Sequence, residues 1–228
     1  MKILLAGVLL AYALLAHGAL LGIDPGLTPM ALWLLPVAML MVAWNARKPV
    51  WLVPASLLAL LVWALQRADA GALLLFLPPI LAHGLIASMF ASTLLPGSEP
   101  LIIRFIRIVH GPDNPPDTRL CAYARLVTTL WAGLFVLLCV VEVGLLLLVV
   151  PEGLLAVMGV DSSRFGLTSA HFAWFAHVGS WLLMALLMGV EWTVRKRRFP
   201  DMPYRNFAHF IRRLIEVGPQ VARQWRHE

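Results

Sequence analysis

Glu142 stands in LLCVVEVGLLLL, residues 137–148, a carboxylate inside an otherwise apolar run. In lipid such a group costs several kcal/mol unless it is paired or protonated. His177, in a later apolar run, is expected at similar depth. Consecutive helices with a short connection usually pack together, so a Glu142–His177 contact is the expected pairing. His83, just after Pro78-Pro79, is also deep, while His17 and His171 fall nearer one surface. Three chemistries fit this set. One is a polar contact that specifies helix packing, one is proton or substrate handling, and one is haem ligation between histidines. Haem has the least behind it, since no spacing of paired histidines supports it; no metal or other cofactor is expected.

A second group lies in the polar stretch between apolar runs. His110, Asp113 and Asp117 could converge in a catalytic or metal site, but Asp and Asn in a Gly/Pro-rich turn serve local hydrogen bonding equally well. The membrane acyltransferase pattern of His followed five positions later by Asp fails, because that position is Pro115. The phosphate-loop, nucleophile-elbow, zinc-protease and dinucleotide signatures are absent. Cys121 and Cys139 form neither a CxxC nor a zinc spacing. An enzyme is therefore not the expected reading.

The elements that must position these residues are membrane helices. The 228 residues are 61% hydrophobic and 13% charged, with mean hydropathy +0.83. Soluble domains run at about 45–50% and 25%. Apolar runs at 3–22, 29–45, 50–66, 71–94, 126–150 and 168–190 each approach the length that spans a bilayer. The expected fold is all-α, a polytopic bundle of six transmembrane helices over residues 1–198, followed by a basic tail, 199–228. Pro36 and Pro54 allow kinks or tilt in the second and third helices.

Lys and Arg set the direction. With the N-terminus inside, only Arg67 and Arg164 of the 18 basic residues lie outside. Both termini are thus expected in the cytoplasm of a bacterial inner membrane. The net charge of +6 is explained by this sorting, and no nucleic-acid partner is implied. Lys2, the first apolar run and the small residues at Ala16-His17-Gly18 also resemble a signal peptide, whose removal would leave five helices. The run's length and the lack of a clear A-x-A site favour a retained helix.

The longest connection, 96–124, holds PLIIRFIRIVHG. At helical spacing, Leu101, Ile102, Phe105, Ile106, Ile108 and Val109 form an apolar arc, with Arg104, Arg107 and His110 opposite. Such a helix is expected to lie at the interface with its arginines toward anionic headgroups. The tail repeats the pattern after Phe199-Pro200, with Phe207, Phe210, Ile211, Leu214 and Ile215 on one side. Together they predict a basic cytoplasmic platform for membrane lipid or an acidic carrier protein. Ala185 and Gly189, four apart on the sixth helix, permit close helix contact within one chain or between two, and oligomeric state stays open.

The Pro78-Pro79 pair, TLLPGSEPLIIRFIRIVHG at 93–111, YARLVTTLW at 123–131 and EWTVRKRRFPDMPYR at 191–205 resemble a family of small bacterial inner-membrane proteins. Its members are encoded beside fatty-acid-like synthesis genes, notably aryl-polyene and xanthomonadin-type pigment clusters. The resemblance covers about half of the chain. It implies a role in cluster-encoded lipid or polyene assembly, with an acyl carrier protein or other cluster enzymes as partners and no catalytic residues to carry over. Some relatives bear ketosynthase-like names, but this chain has neither the Cys-His-His constellation nor the length for that fold. Thr93, Pro96, Gly97, Pro100, Arg104, Arg107, His110, Tyr123 and Arg125 are the expected working surface. The leading expectation is an accessory protein that brings carrier-bound intermediates to the bilayer. The alternative is a transporter or flippase-like component using Glu142 and His177.

Overall fold

Lipid offers no hydrogen-bond partners, so an apolar run satisfies its backbone by closing into a helix. The computed structural model describes residues 2–47, 49–110, 117–199 and Arg212, with Lys2 and residues 108–110 described by backbone alone. The amphipathic tail helix expected within 199–228, the Asp113 position and the His110 side chain lie outside the described residues. Along the chain come α1 (Lys2–Leu20), α2 (Leu27–Ala46), a 3-10 turn (Pro49–Trp51), α3 (Leu52–Arg67) and α4 (Leu73–Ser92). Then follow α5 (Leu101–His110), α6 (Thr118–Leu148), the short α7 (Leu154–Val157) and a 3-10 turn (Ser163–Phe165). Last are α8 (Ser169–Trp174), a π-helical turn (Phe175–Gly179) and α9 (Ser180–Arg198). No strand occurs among the described residues.

Among the described residues six stretches are long and apolar enough to cross a membrane, the sixth being the run Ser169–Arg198 that joins α8, the π turn and α9. The chain is an all-α, multi-pass membrane protein. Two spans are longer than hydropathy indicates. α6 begins at Thr118 instead of 126, because Asp117 caps it: its Oδ1 accepts from the Leu120 amide at 2.6 Å. The last helix runs through Arg195–Arg198 instead of stopping near 190. Pro54 sits in the first turn of α3, where its missing N–H costs no bond. α4 ends at Ser92, ahead of Pro96; Gly97, at φ +84°, then makes the turn that L side chains rarely adopt.

The fold divides into two compact units, residues 1–81 with 139–181 and residues 82–138 with 182–228. This division cuts through α4, α6 and α9. In the first unit α1 packs on α2 and α8, and α2 packs on α3. Small residues let these helices approach: Ala16, Ala31 and Ala173 are buried beside Leu32, Val62, Phe76, Val149 and Phe172. The Phe76 and Phe172 rings meet edge to face at 4.5 Å between centroids. Leu10, Leu14, Leu57 and Leu60 point outward, as helices in lipid require.

In the second unit α5 is amphipathic, as expected, but protein covers its apolar side. Ile103 and Ile106 pack with Leu120 and Ala124 of α6 and with Phe199, while Leu101 and Phe105 pack with Met89 and Phe90 of α4. Phe90, Trp131 and Phe135 continue that contact as an aromatic row with centroids 5.8–6.3 Å apart.

Candidate functional site

The first unit brings two histidines from opposite ends of the chain into contact. His17 Nδ1 of α1 lies 3.3 Å from His177 Nδ1, with the rings edge to face at 4.8 Å. His177 belongs to the π turn, a widened helical turn often found at functional positions. Widening leaves carbonyls poorly aligned with their usual amides, and side chains satisfy them. His177 Nδ1 donates to Ala173 O at 2.9 Å and buried Ser180 Oγ donates to Ala176 O at 2.7 Å. Glu142 of α6 is fully buried in the same unit. The side-chain contact seen for His177 is thus with His17, a residue that the expected Glu142–His177 pairing did not include. Sequence reasoning placed His17 near a surface and apart, because no pattern within either helix reports that α1 and α8 adjoin.

This contact also bears on haem. Two nitrogens in direct contact leave no room for a planar macrocycle between the rings. Among the described residues no group of three or more His, Cys, Asp or Glu is arranged to hold a metal. The remaining histidines have other surroundings. His171 Nδ1 accepts from the Thr168 amide at 3.1 Å and meets its hydroxyl at 2.9 Å, closing the start of α8. His83 belongs to the second unit, buried and stacked on Phe135 at 6.0 Å. Outside the spans, hydrogen bonds from Ser163 hold the Asp161 carboxyl below the usual carboxylate range.

Most of the expected surface motif builds the second unit from within. Thr93 Oγ1 donates to Phe90 O at 2.8 Å, closing α4, and accepts from the Leu101 amide at 3.1 Å, opening α5. Arg125 donates to Leu94 O at 3.0 Å, and Pro100 O accepts from the Ile103 and Arg104 amides of α5. Arg104 corrects the helical-wheel expectation. It is 9% exposed, and its Nε donates to Glu99 O at 3.2 Å, so it faces protein where headgroups were expected. The reason is that α5 is covered by α4 on one side and α6 on the other, which leaves a narrower polar face than a helix resting on lipid. Arg107 remains outward and pairs with Glu99.

A network the motif only hinted at holds α6 to α9. Tyr123 OH contacts Glu191 Oε1 at 3.3 Å, and Arg195 Nη2 donates to Glu191 Oε2 at 2.9 Å. Both partners of that ion pair are about one-tenth exposed. Tyr123 also packs on Phe199. The signal for this pair was present as Glu191 four residues before Arg195 in a helix. Around the junction Arg107, Arg119, Arg125, Lys196, Arg197 and Arg198 are exposed. Earlier in α9, Ala185 and Gly189 line an open groove of about 410 Å³ with Leu186, Val190, Thr193 and Val194.

Comparison of the chain with protein-family models, curated proteins and solved structures yields no match.

Proposed function

We propose that the chain is an accessory protein of the bacterial inner membrane, with both termini in the cytoplasm, serving aryl-polyene or fatty-acid-like lipid and pigment synthesis. In this reading it presents a basic face to carrier-bound intermediates and anionic lipid. The direction is supported by the sorting of Lys and Arg, and the pathway by the resemblance of the 93–111, 123–131 and 191–205 segments. The observation that carries the binding role is the α5–α6–α9 junction. Its buried polar groups, Thr93, Arg104, Tyr123 and Glu191, fix the backbone, while six basic residues stay exposed around it. An acidic acyl carrier protein matches that field, which is screened beyond about 8 Å in physiological salt.

The test is carrier binding to the full-length protein in lipid nanodiscs. Reversing Lys196, Arg197 and Arg198 to Glu should weaken binding of the acyl-loaded carrier and flatten its salt dependence, with insertion unchanged. Equal binding by the variant would remove the docking role.

The His17–His177 contact, with fully buried Glu142 in the same unit, favours a second reading, a transporter or flippase-like component that moves product or an ion. Glu142→Gln would then leave the protein inserted but keep product from the outer leaflet. A normal product distribution in that strain would exclude transport.

A further inference from the structure

We infer that His17 and His177 form a single-proton site that ties α1 to the π turn. The inference deepens the intramembrane reading and is independent of the basic face.

Hydrogen-bond roles locate the protons. Ala173 O can only accept, so His177 Nδ1 carries a hydrogen, directed between Ala173 O at 2.9 Å and His17 Nδ1 at 3.3 Å. His17 Nδ1 is then the bare nitrogen of a neutral ring whose hydrogen is on Nε2. One further proton has a place that keeps this contact, the Nε2 of His177. The resulting imidazolium donates more strongly through Nδ1. A second proton would have to enter at His17 Nδ1. There N–H would confront N–H and two cations would share a contact of 3.3 Å. Uptake of the second proton therefore separates the rings and breaks the side-chain link between α1 and the π turn.

Several other titratable groups belong to the elements around the pair. Besides the two histidines, the elements packed around the pair carry Lys2 and Tyr12 in α1, Cys139 and Glu142 in α6, Arg67 at the end of α3 and His171 in α8. Arg67 lies over Trp63, and His171 is engaged with Thr168. Glu152 accepts from Ser169 Oγ at 3.2 Å. α2 and the portion of α4 in this unit carry no titratable side chain.

Solid-state 15N NMR of histidine-labelled full-length protein in phosphatidylethanolamine–phosphatidylglycerol bilayers tests this, from about pH 8 to pH 4, a range that covers imidazole titration. Wild type should show a correlation between the two Nδ1 atoms across their shared hydrogen. It should persist through uptake of the first proton and vanish with the second. His17→Asn keeps an acceptor near the Nδ1 position but takes up no proton, so His177 should retain its hydrogen-bonded Nδ1 signal to the acid end. Absence of the correlation in wild type overturns the site without recourse to any variant. So does a correlation that survives protonation of both rings, or loss of the His177 signal at the same pH in His17→Asn as in wild type. Transport fails separately: a normal product distribution in Glu142→Gln with the wild-type correlation present removes transport and leaves the proton site standing.

Discussion

The α5–α6–α9 junction and the His17–His177 contact treat charge in opposite ways. At the junction each buried ionic group has an ionic or carbonyl partner close by in the chain, as Glu191 has Arg195 and Arg104 has Glu99 O. In the histidine contact the partners come from residues 160 apart in sequence and meet only through tertiary packing. The junction consequently carries dense local motifs and a largely architectural interior, with its chemistry on the outside. The histidine contact carries almost no local motif and places ionisable groups inside the bilayer-spanning region. Motif density along a membrane chain therefore marks where backbone must be held, and chemistry can lie where the sequence is quietest.

The largest expected effect would break the architectural half of this comparison. Glu191→Ala leaves Arg195 buried with its anionic partner removed, and loss of one partner of a buried pair costs roughly 3–5 kcal/mol. Denaturant unfolding in detergent measures it, and Glu191→Leu with Arg195→Met should recover much of the loss. Next comes the outward half. The Lys196, Arg197 and Arg198 reversal should lower carrier affinity at least tenfold, about 1.4 kcal/mol, while unfolding changes by less than about 0.5 kcal/mol. An equal loss of stability would mean that these exposed residues are structural after all.

Thr93→Val removes the acceptor for the Leu101 amide and should cost about 1 kcal/mol, a helix-cap loss, with α5 amide exchange rising before that of α6. The smallest effect is expected of Tyr123→Phe. Its hydroxyl bonds are long, at 3.3 Å, and the ring contact with Phe199 survives, so unfolding should shift by under about 1 kcal/mol.

The six crossings were legible because each needs about twenty apolar residues, and little else in a sequence does. Their ends were less legible. A hydropathy window stops where polarity begins, although Asp117 before Thr118 is a cap and Arg195–Arg198 continue a helix that is already nucleated. Arg104 was misplaced because a helical wheel gives angular position alone, and coverage depends on how many neighbours a short helix has. Glu142 announced itself as a lone carboxylate in lipid. His17 did not, since its role rests on α1 adjoining α8, which no periodicity within either helix encodes.

The proposed hand-over of carrier-bound intermediates at the membrane can be tested in cells. Its most direct measurement is mass spectrometry of carrier-bound and membrane-extracted lipids and pigments, with and without the gene. Accumulation of carrier-bound polyene or acyl chains, with little reaching the membrane, is the predicted result. An unchanged profile in both fractions would contradict it.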